Sequence, residues 1–420
     1  MKLPIAVVGF GISGKSAIRL LKSMGVRPNQ IVTYDDQAAA ADYRDAKNML
    51  ATFKPATLLV SPGYPLSKPW IQEFAAQGGI VTSELAIAVS QLDTEQMVAV
   101  TGSLGKSTVV SLLEAAAASA GIDAFVGGNL GIPLGEYIAD VKEGIRSQRA
   151  NWVVLELSSF QLENCGGLAP EYSAITYLAP NHLERYPSLD AYYACKWELV
   201  KRTKSKVFLN SNGGDLKQYA QKFPSEKVVW TESAAAHFRA ARLLGKHNQD
   251  NIMLAATIAS TCGWGEATKK GLLEFRGLPH RMQNLGTHGG ALFINDSKAT
   301  TIESVQSALE GALESHAGDI FLLLGGKDKN LPWGKLKFLK ELPRVRPVFF
   351  GASAEVIQSQ SGVSGPSFAS LRDLVSGLPK LVKAGDMVLL SPGGTSHDEF
   401  HNFEERGRSF SRWVEEVFSK

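Results

Sequence analysis

The stretch GSLGKST, residues 102–108, decides how this chain is read. It follows the apolar run MVAVT and precedes VVSLLEAAAA, so it reads as strand, glycine loop and helix. Such a loop turns backbone N–H groups toward an anion at a helix N-terminus. Donors around Gly102, Ser103, Leu104, Gly105 and Lys106 would hold a β-phosphate. Lys106 would offset charge near the β- and γ-phosphates, Ser107 would offer its hydroxyl to magnesium, and Thr108 closes the run. Its glycines stand closer together than in the usual phosphate-loop pattern. The plainer alternative is a helix cap beside a solvated lysine.

A near copy, GISGKSA, occupies residues 11–17. There Gly9, Gly11 and Gly14 form G-x-G-x-x-G after the strand-like IAVV, and Asp35 and Asp36 end the next apolar run. That pattern fits a dinucleotide, another diphosphate ligand, or only a tight strand–helix turn. The surroundings separate the two loops. Glu156 ends the apolar run WVVLE downstream of the second loop, where an acid can reach a magnesium ion. The first loop has no such companion. The triphosphate therefore belongs on the second loop, and the phosphates of something else on the first.

Composition narrows the classes. The chain has 420 residues, enough for two or three domains, with 44% hydrophobic and 20% charged residues and a net charge of +3. The basic residues are interleaved with acids, so no nucleic-acid footprint is expected. Cys165, Cys195 and Cys262 lie far apart, which argues against disulfides or a cysteine zinc site and fits a reducing cytoplasm. No apolar run is long enough to span a membrane, and IAVVGFGI lacks the pattern of a secretory signal. We expect a monomer.

Short apolar runs alternate with helical patterns in three series: IAVVG to GIVTS, MVAVTG to KVVW, and ALFINDS to MVLLSPGG. This predicts parallel α/β sheets with boundaries near 92–94 and 278–279, giving domains 1–92, 93–278 and 279–420. EAAAASA reads as a helix interior.

An ordered set of blocks then resembles the Mur ligases along nearly the whole chain: TGSLGKST, GGNLGIPL, LELSSFQLE, HLERYPSLDAYYACK, GKHNQDN, GLPHRM, NDSKAT and LSPGGTSHDEFHNFEERG. The last two blocks favour the D-glutamate-adding branch. The resemblance implies an N-terminal Rossmann-like domain, a central P-loop ATPase-like domain and a C-terminal Rossmann-like domain. It implies a UDP-sugar near Ile12, Ser13, Asp35, Asp36, Asn129 and Ser158. ATP would meet residues 102–108, Asn248, Asn251, His280, Arg281 and Asp296. Two magnesium ions would be held through Ser107, Glu156, His182 and a carbamylated Lys196. Lys298, Thr300, Lys329, Ser396 and Phe403 would receive D-glutamate.

The implied reaction joins UDP-N-acetylmuramoyl-L-alanine to D-glutamate in peptidoglycan synthesis. A carboxylate has a poor leaving group, so ATP first converts it to an acyl phosphate, which the amine then attacks. Lys106, Glu156, His182 and Lys196 would carry the catalysis, and domain closure would gather the ligands. The sequence departs from the family at Leu104, where asparagine is usual, and at Asn181, where aspartate is usual. Three rivals remain at this point: a nicotinamide-dependent oxidoreductase, a non-catalytic nucleotide-binding protein, and a sibling ligase using another amino acid or folate.

Overall fold

The computed structural model describes residues 1–181, 185–232, 241, 243, 246–328 and 331–418. Three sheets carry the fold. The first has order β2-β1-β3-β4, from β1 (Ile5–Val8), β2 (Ile31–Tyr34), β3 (Thr57–Val60) and β4 (Ile80–Thr82), all parallel. β1 and β3 are buried at every position, as interior parallel strands covered on both faces must be.

The second sheet has order β10-β9-β8-β5-β7-β6 and is also parallel. Its strands are β5 (Gln96–Thr101), β6 (Ala124–Gly128), β7 (Trp152–Glu156), β8 (Tyr172–Ile175), β9 (Lys206–Asn210) and β10 (Val228–Thr231). β5 lies near its middle. The alanine-rich segment becomes the helix Lys106–Ser119 as expected, with Gly105 at its N-terminal boundary in the left-handed region at φ 80°.

The third sheet has order β11-β12-β16-β13-β14-β15. It comprises β11 (Gln283–His288), β12 (Ala291–Asn295), β13 (Ile320–Gly325), β14 (Val345–Phe350), β15 (Ser367–Phe368) and β16 (Met387–Gly393). Here the expectation of parallel pairing needs correction: β11 runs antiparallel to β12, with a register shift between Asn284 and Gly286. The short Gly289–Gly290 turn leaves only a hairpin geometry for that pair, since a parallel partner needs a long crossover.

The chain forms two compact units, 1–234 with 250–272, and 235–249 with 273–420. In the first unit, two sheets share one apolar cluster. Ile5, Leu20 and Leu85 belong to it together with Ile138, Leu155 and Leu162. The second unit packs apolar residues on both faces of its sheet, including Ile294, Leu322 and Trp333 on one face and Phe293, Leu323 and Phe410 on the other. No helix among the described residues is long and apolar enough to cross a membrane.

Polar ties reinforce the seam of the first unit. Arg19, on the helix Ile12–Ser23, reaches Glu136, Asp140 and Glu143 on and just after the helix Leu134–Lys142, at 2.5, 2.6 and 2.6 Å. These groups are about a third exposed, so solvent screening keeps each bond worth little. Glu84 is different. It is buried, and Oε1 accepts from Ser16 Oγ and Gly135 N. Burial pushes its carboxyl from 4.5 up to about 7.

A raised acid favours the folded state in its protonated form. That contribution is complete below pH 4.5 and is lost as pH rises through about 7. Integrated over that window it amounts to about 3 kcal/mol. Glu84→Gln keeps an acceptor oxygen for both donors and cannot ionise. Its melting temperature should exceed the wild type's at pH 8 and lose that advantage near pH 5. Parallel melting curves across the pH range would refute the assignment.

Candidate active site

Glu156 lies in register with Val100 of β5 and Gly128 of β6, at the C-terminal ends of neighbouring strands. That placement brings its carboxylate beside the loop that leaves β5. Oε1 accepts from Asn129 Nδ2 at 2.8 Å, and Asn129 N donates to the Glu156 carbonyl at 2.8 Å. Oε2 is buried with no hydrogen-bond partner. An unpaired buried oxygen costs about 1–3 kcal/mol, a cost that a bound cation or donor would offset.

Two lysines converge on the same loop. Lys106 Nζ donates to the Gly102 carbonyl at 2.9 Å, and Lys196 Nζ donates to that same oxygen at 3.0 Å. Lys196 is buried on the helix Leu189–Arg202, with Nζ 4.8 Å from the Tyr192 ring centre. Burial, then the neighbouring Lys106 charge, lowers its ammonium to about 7. Two amines on one carbonyl oxygen place donors and positive charge at this loop, and burial favours the neutral form of Lys196.

Ser103 has a structural task besides its expected one. Its N–H donates to the Tyr177 carbonyl, its Oγ donates to the Ala179 carbonyl, and Ala179 N and Tyr192 OH donate to Oγ. The side chain thus ties the loop after β5 to the segment after β8 at Ala179. Ser107 is buried at the start of its helix, Thr108 is half-buried, and Leu104 is 58% exposed. Asn248 and Asn251 both lie within the helix Lys246–Thr261. A Cβ added to Gly105 would come within 2.8 Å of Asn251 Oδ1, so this asparagine packs against the loop. His182 and Lys329 lie outside the described residues.

The six residues expected near a sugar-nucleotide share one cavity of about 700 Å³: Ile12, Ser13, Asp35, Asp36, Asn129 and Ser158. Asp35 also braces its rim. Its carboxylate accepts from the N–H groups of Phe10, Gln37 and Ala38. The Phe10 bond leads in holding it below the usual carboxylate range. Ser158 caps the short helix Ser159–Leu162 through Gln161 N. Asn129 joins the two places, lining the cavity while bonding to Glu156. Sequence reasoning missed Lys68 and Tyr64. Lys68 is the cavity's lining cation and lies over the Tyr64 ring. The Lys–Pro step opening the helix Pro69–Ala76 was the available signal.

In the second unit, the loops after β12 and β16 leave the C-terminal ends of paired parallel strands. Open α/β sheets place ligands at such ends. Lys298 Nζ lies 5.2 Å from the Phe403 ring centre, Thr300 is half-buried, and Ser396 is buried in the loop after β16. Asp296 is buried, accepting from Met282 N and Ser391 Oγ, and burial pushes it up to about 7. His280 has φ 63° and lies against Gly407, and burial lowers its ring. Arg281 is half-buried beside it.

Comparison with known proteins matches residues 100–255 to the Mur ligase middle domain. The UDP-N-acetylmuramoylalanine–D-glutamate ligase of Nitratidesulfovibrio vulgaris (strain Miyazaki F) is 34% identical, covering 98% of this chain and 96% of its own. The chain belongs to the Mur ligases. The like-named enzyme of Fervidobacterium nodosum is 30% identical over 98% of this chain and 99% of its own. Solved Mur ligases share the fold along the whole chain. The UDP-N-acetylmuramate–alanine ligase of Thermotoga maritima superposes with a TM-score of 0.58 at 18% identity, covering 100% of both chains. The MurF ligase of the same organism, solved in complex with ADP, gives 0.54 at 16% identity, covering 88% of this chain and 92% of its own.

Proposed function

We propose that this Mur ligase adds D-glutamate to UDP-N-acetylmuramoyl-L-alanine, spending ATP, in peptidoglycan precursor synthesis. The observation that carries the reading is the junction at Asn129. One side chain borders a cavity sized for a sugar-nucleotide and bonds to the acid of a phosphate cradle. The relatives' shared name supplies the amino acid. We assign residues 1–92 to the sugar-nucleotide, 93–278 to ATP, and 279–420 to the amino acid with a share of the ATP contacts through His280, Arg281 and Asp296.

The substrate's alanyl carboxylate attacks the γ-phosphorus of ATP, ADP departs, and an acyl phosphate forms. The amine of D-glutamate attacks the acyl carbon, loses a proton, and phosphate leaves from the tetrahedral intermediate. Lys106 is held over the loop by Gly102, and its fixed charge stabilises the transferring phosphoryl group without reorganisation. Asn129 orients Glu156 and holds the sugar-nucleotide at the rim shared with it.

The unpartnered Oε2 of Glu156 fits a magnesium ion, for which buried Ser107 is assigned as a second oxygen donor and whose charge would offset that of the phosphates. Lys196, lowered to about 7, fits a carbamate, which converts a cation into an oxygen ligand. Carbon-13 bicarbonate should give a carbamate resonance in the wild type that Lys196→Ala lacks. Lys298, Thr300, Ser396 and Phe403 are assigned to D-glutamate, with Lys298 supplying positive charge for a dicarboxylate.

The test is a panel of amino acids with the sugar-nucleotide and ATP, read by phosphate release. D-Glutamate should give release well above the others. Release with none of them overturns the ligase reading, and release with a different amino acid makes this a sibling.

A further inference from the structure

The block HNFEERG contains an arginine that the reaction above does not use. Arg406 is fully buried on the helix Phe403–Phe418. Its Nε donates to Ser297 Oγ at 3.0 Å, Nη2 to the Ser297 carbonyl at 2.8 Å, and Nη1 to the Gly394 carbonyl at 3.1 Å. Ser297 Oγ in turn donates to the Phe403 carbonyl at 2.9 Å. The nearby carboxylates are engaged elsewhere, Asp398 with Ala352 N and Glu399 with Leu371 N.

This is an expensive way to fill a core. A guanidinium hydrogen-bonded to neutral oxygens forfeits hydration that they only partly replace; burial lowers it to about 10, with the Asp398 and Glu399 charges opposing that shift. An apolar side chain there would leave the Ser297 and Gly394 carbonyl oxygens without these donors. What the guanidinium adds is geometry, a rigid planar fork that binds the Ser297 and Gly394 carbonyls directly and, through the Ser297 hydroxyl, reaches that of Phe403.

Those three points share one feature. Ser297 adjoins Lys298, Gly394 lies two residues before Ser396, and Phe403 is itself an assigned residue. Gly326 also packs against Nη1, at φ 95°, with no room for a Cβ. The arginine thus ties together the loop after β12, the loop after β16 and the start of the last helix. Its own donors face those carbonyls rather than a ligand.

We infer that Arg406 is a positioning residue for the amino-acid substrate. It acts through Ser297, Gly394 and Phe403 to hold Lys298, Ser396 and the Phe403 ring in one arrangement. The inference rests on the assignment of those residues to D-glutamate.

The test uses the full chain carrying Arg406→Lys, which keeps the charge and loses the fork. The Michaelis constant for D-glutamate should rise ~10-fold or more, since small misplacements at a reacting centre cost up to about 10²-fold. That for the sugar-nucleotide should stay within about 2-fold, and that for ATP should rise by less than the D-glutamate constant, because Asp296 adjoins Ser297 and His280 packs on Gly407. Amide hydrogen exchange should quicken in residues 296–300 and 394–403 while β12, β13 and β16 stay protected. An unchanged D-glutamate constant, or three constants rising together, overturns the inference.

If Arg406→Lys fails to fold, Ser297→Ala removes the acceptor of Arg406 Nε and the relay to Phe403 while leaving both carbonyl contacts, and should raise the D-glutamate constant by roughly 3-fold. No change there also overturns it. Should the wild type use no amino acid at all, the ligase reading falls by itself. Exchange in the two loops then decides whether Arg406 tethers them, and unaltered exchange would refute the tether.

Discussion

Glu156→Gln should cut phosphate release roughly 10³-fold, a loss of about 4 kcal/mol of transition-state stabilisation. The same substitution should shift apo stability by no more than about 1 kcal/mol. The two results separate because the two carboxylate oxygens do different things. Oε1 accepts from Asn129, and an amide oxygen retains that bond. Oε2 has no hydrogen-bond partner to lose, yet it is the oxygen a cation would use. Magnesium with ATP should raise the wild-type melting temperature and leave that of Glu156→Gln nearly unmoved. A variant that melts far below the wild type would mean the carboxylate is a structural member. One that keeps its turnover would remove it from the chemistry.

Gly14→Ala should destabilise the first unit by about 3 kcal/mol, while Gly11→Ala folds like the wild type. The two glycines belong to one motif but face different neighbours. A Cβ at Gly14 would drive into the Gly9 carbonyl oxygen, backbone against backbone, where the strand and helix touch. A Cβ at Gly11 would meet nothing, and its φ of −80° suits any residue. Gly11 nevertheless lines the cavity, so alanine there takes space from the ligand. Its Michaelis constant for the sugar-nucleotide should rise several-fold with kcat little changed. Denaturant unfolding and steady-state kinetics on the pair check both halves. Equal stability of the two variants would refute the division of labour.

The glycine loops show how far local sequence carries. Both were legible as strand–loop–helix turns, because glycine spacing and apolar runs are properties of neighbouring residues. The different tasks of Gly11 and Gly14 were not legible, since they depend on what lies across the fold. The strands that lack a clear apolar run of their own follow the same logic. β6, β11 and β15 all lie at sheet edges. β6 ends in two glycines, β11 is polar and half-exposed, and β15 has two residues. An edge strand takes its pairing from the neighbour and needs no continuous apolar run of its own.

Among the site residues, Ile12, Ser13, Asp35, Asp36, Asn129 and Ser158 come from four separate segments, and the fold brings them to one cavity. The family pattern located them. Nothing local could show that Asn129 bonds to Glu156, or that Ser103 braces the segment beyond β8. Nothing adjacent to Lys196 in the sequence marks it out, because the burial and the second ammonium that lower it come from elsewhere in the chain.

The sequence by itself determined the α/β class, the phosphate loop and the membership of the chain in the Mur ligases, since apolar periodicity, glycine spacing and ordered motifs are written along the chain. Tertiary structure alone decided which polar atoms remain unpaired, which lysines share an oxygen and which buried acids are pushed toward neutral pH. Those properties belong to solvent exclusion and to partners distant in sequence, and both exist only once the chain has folded.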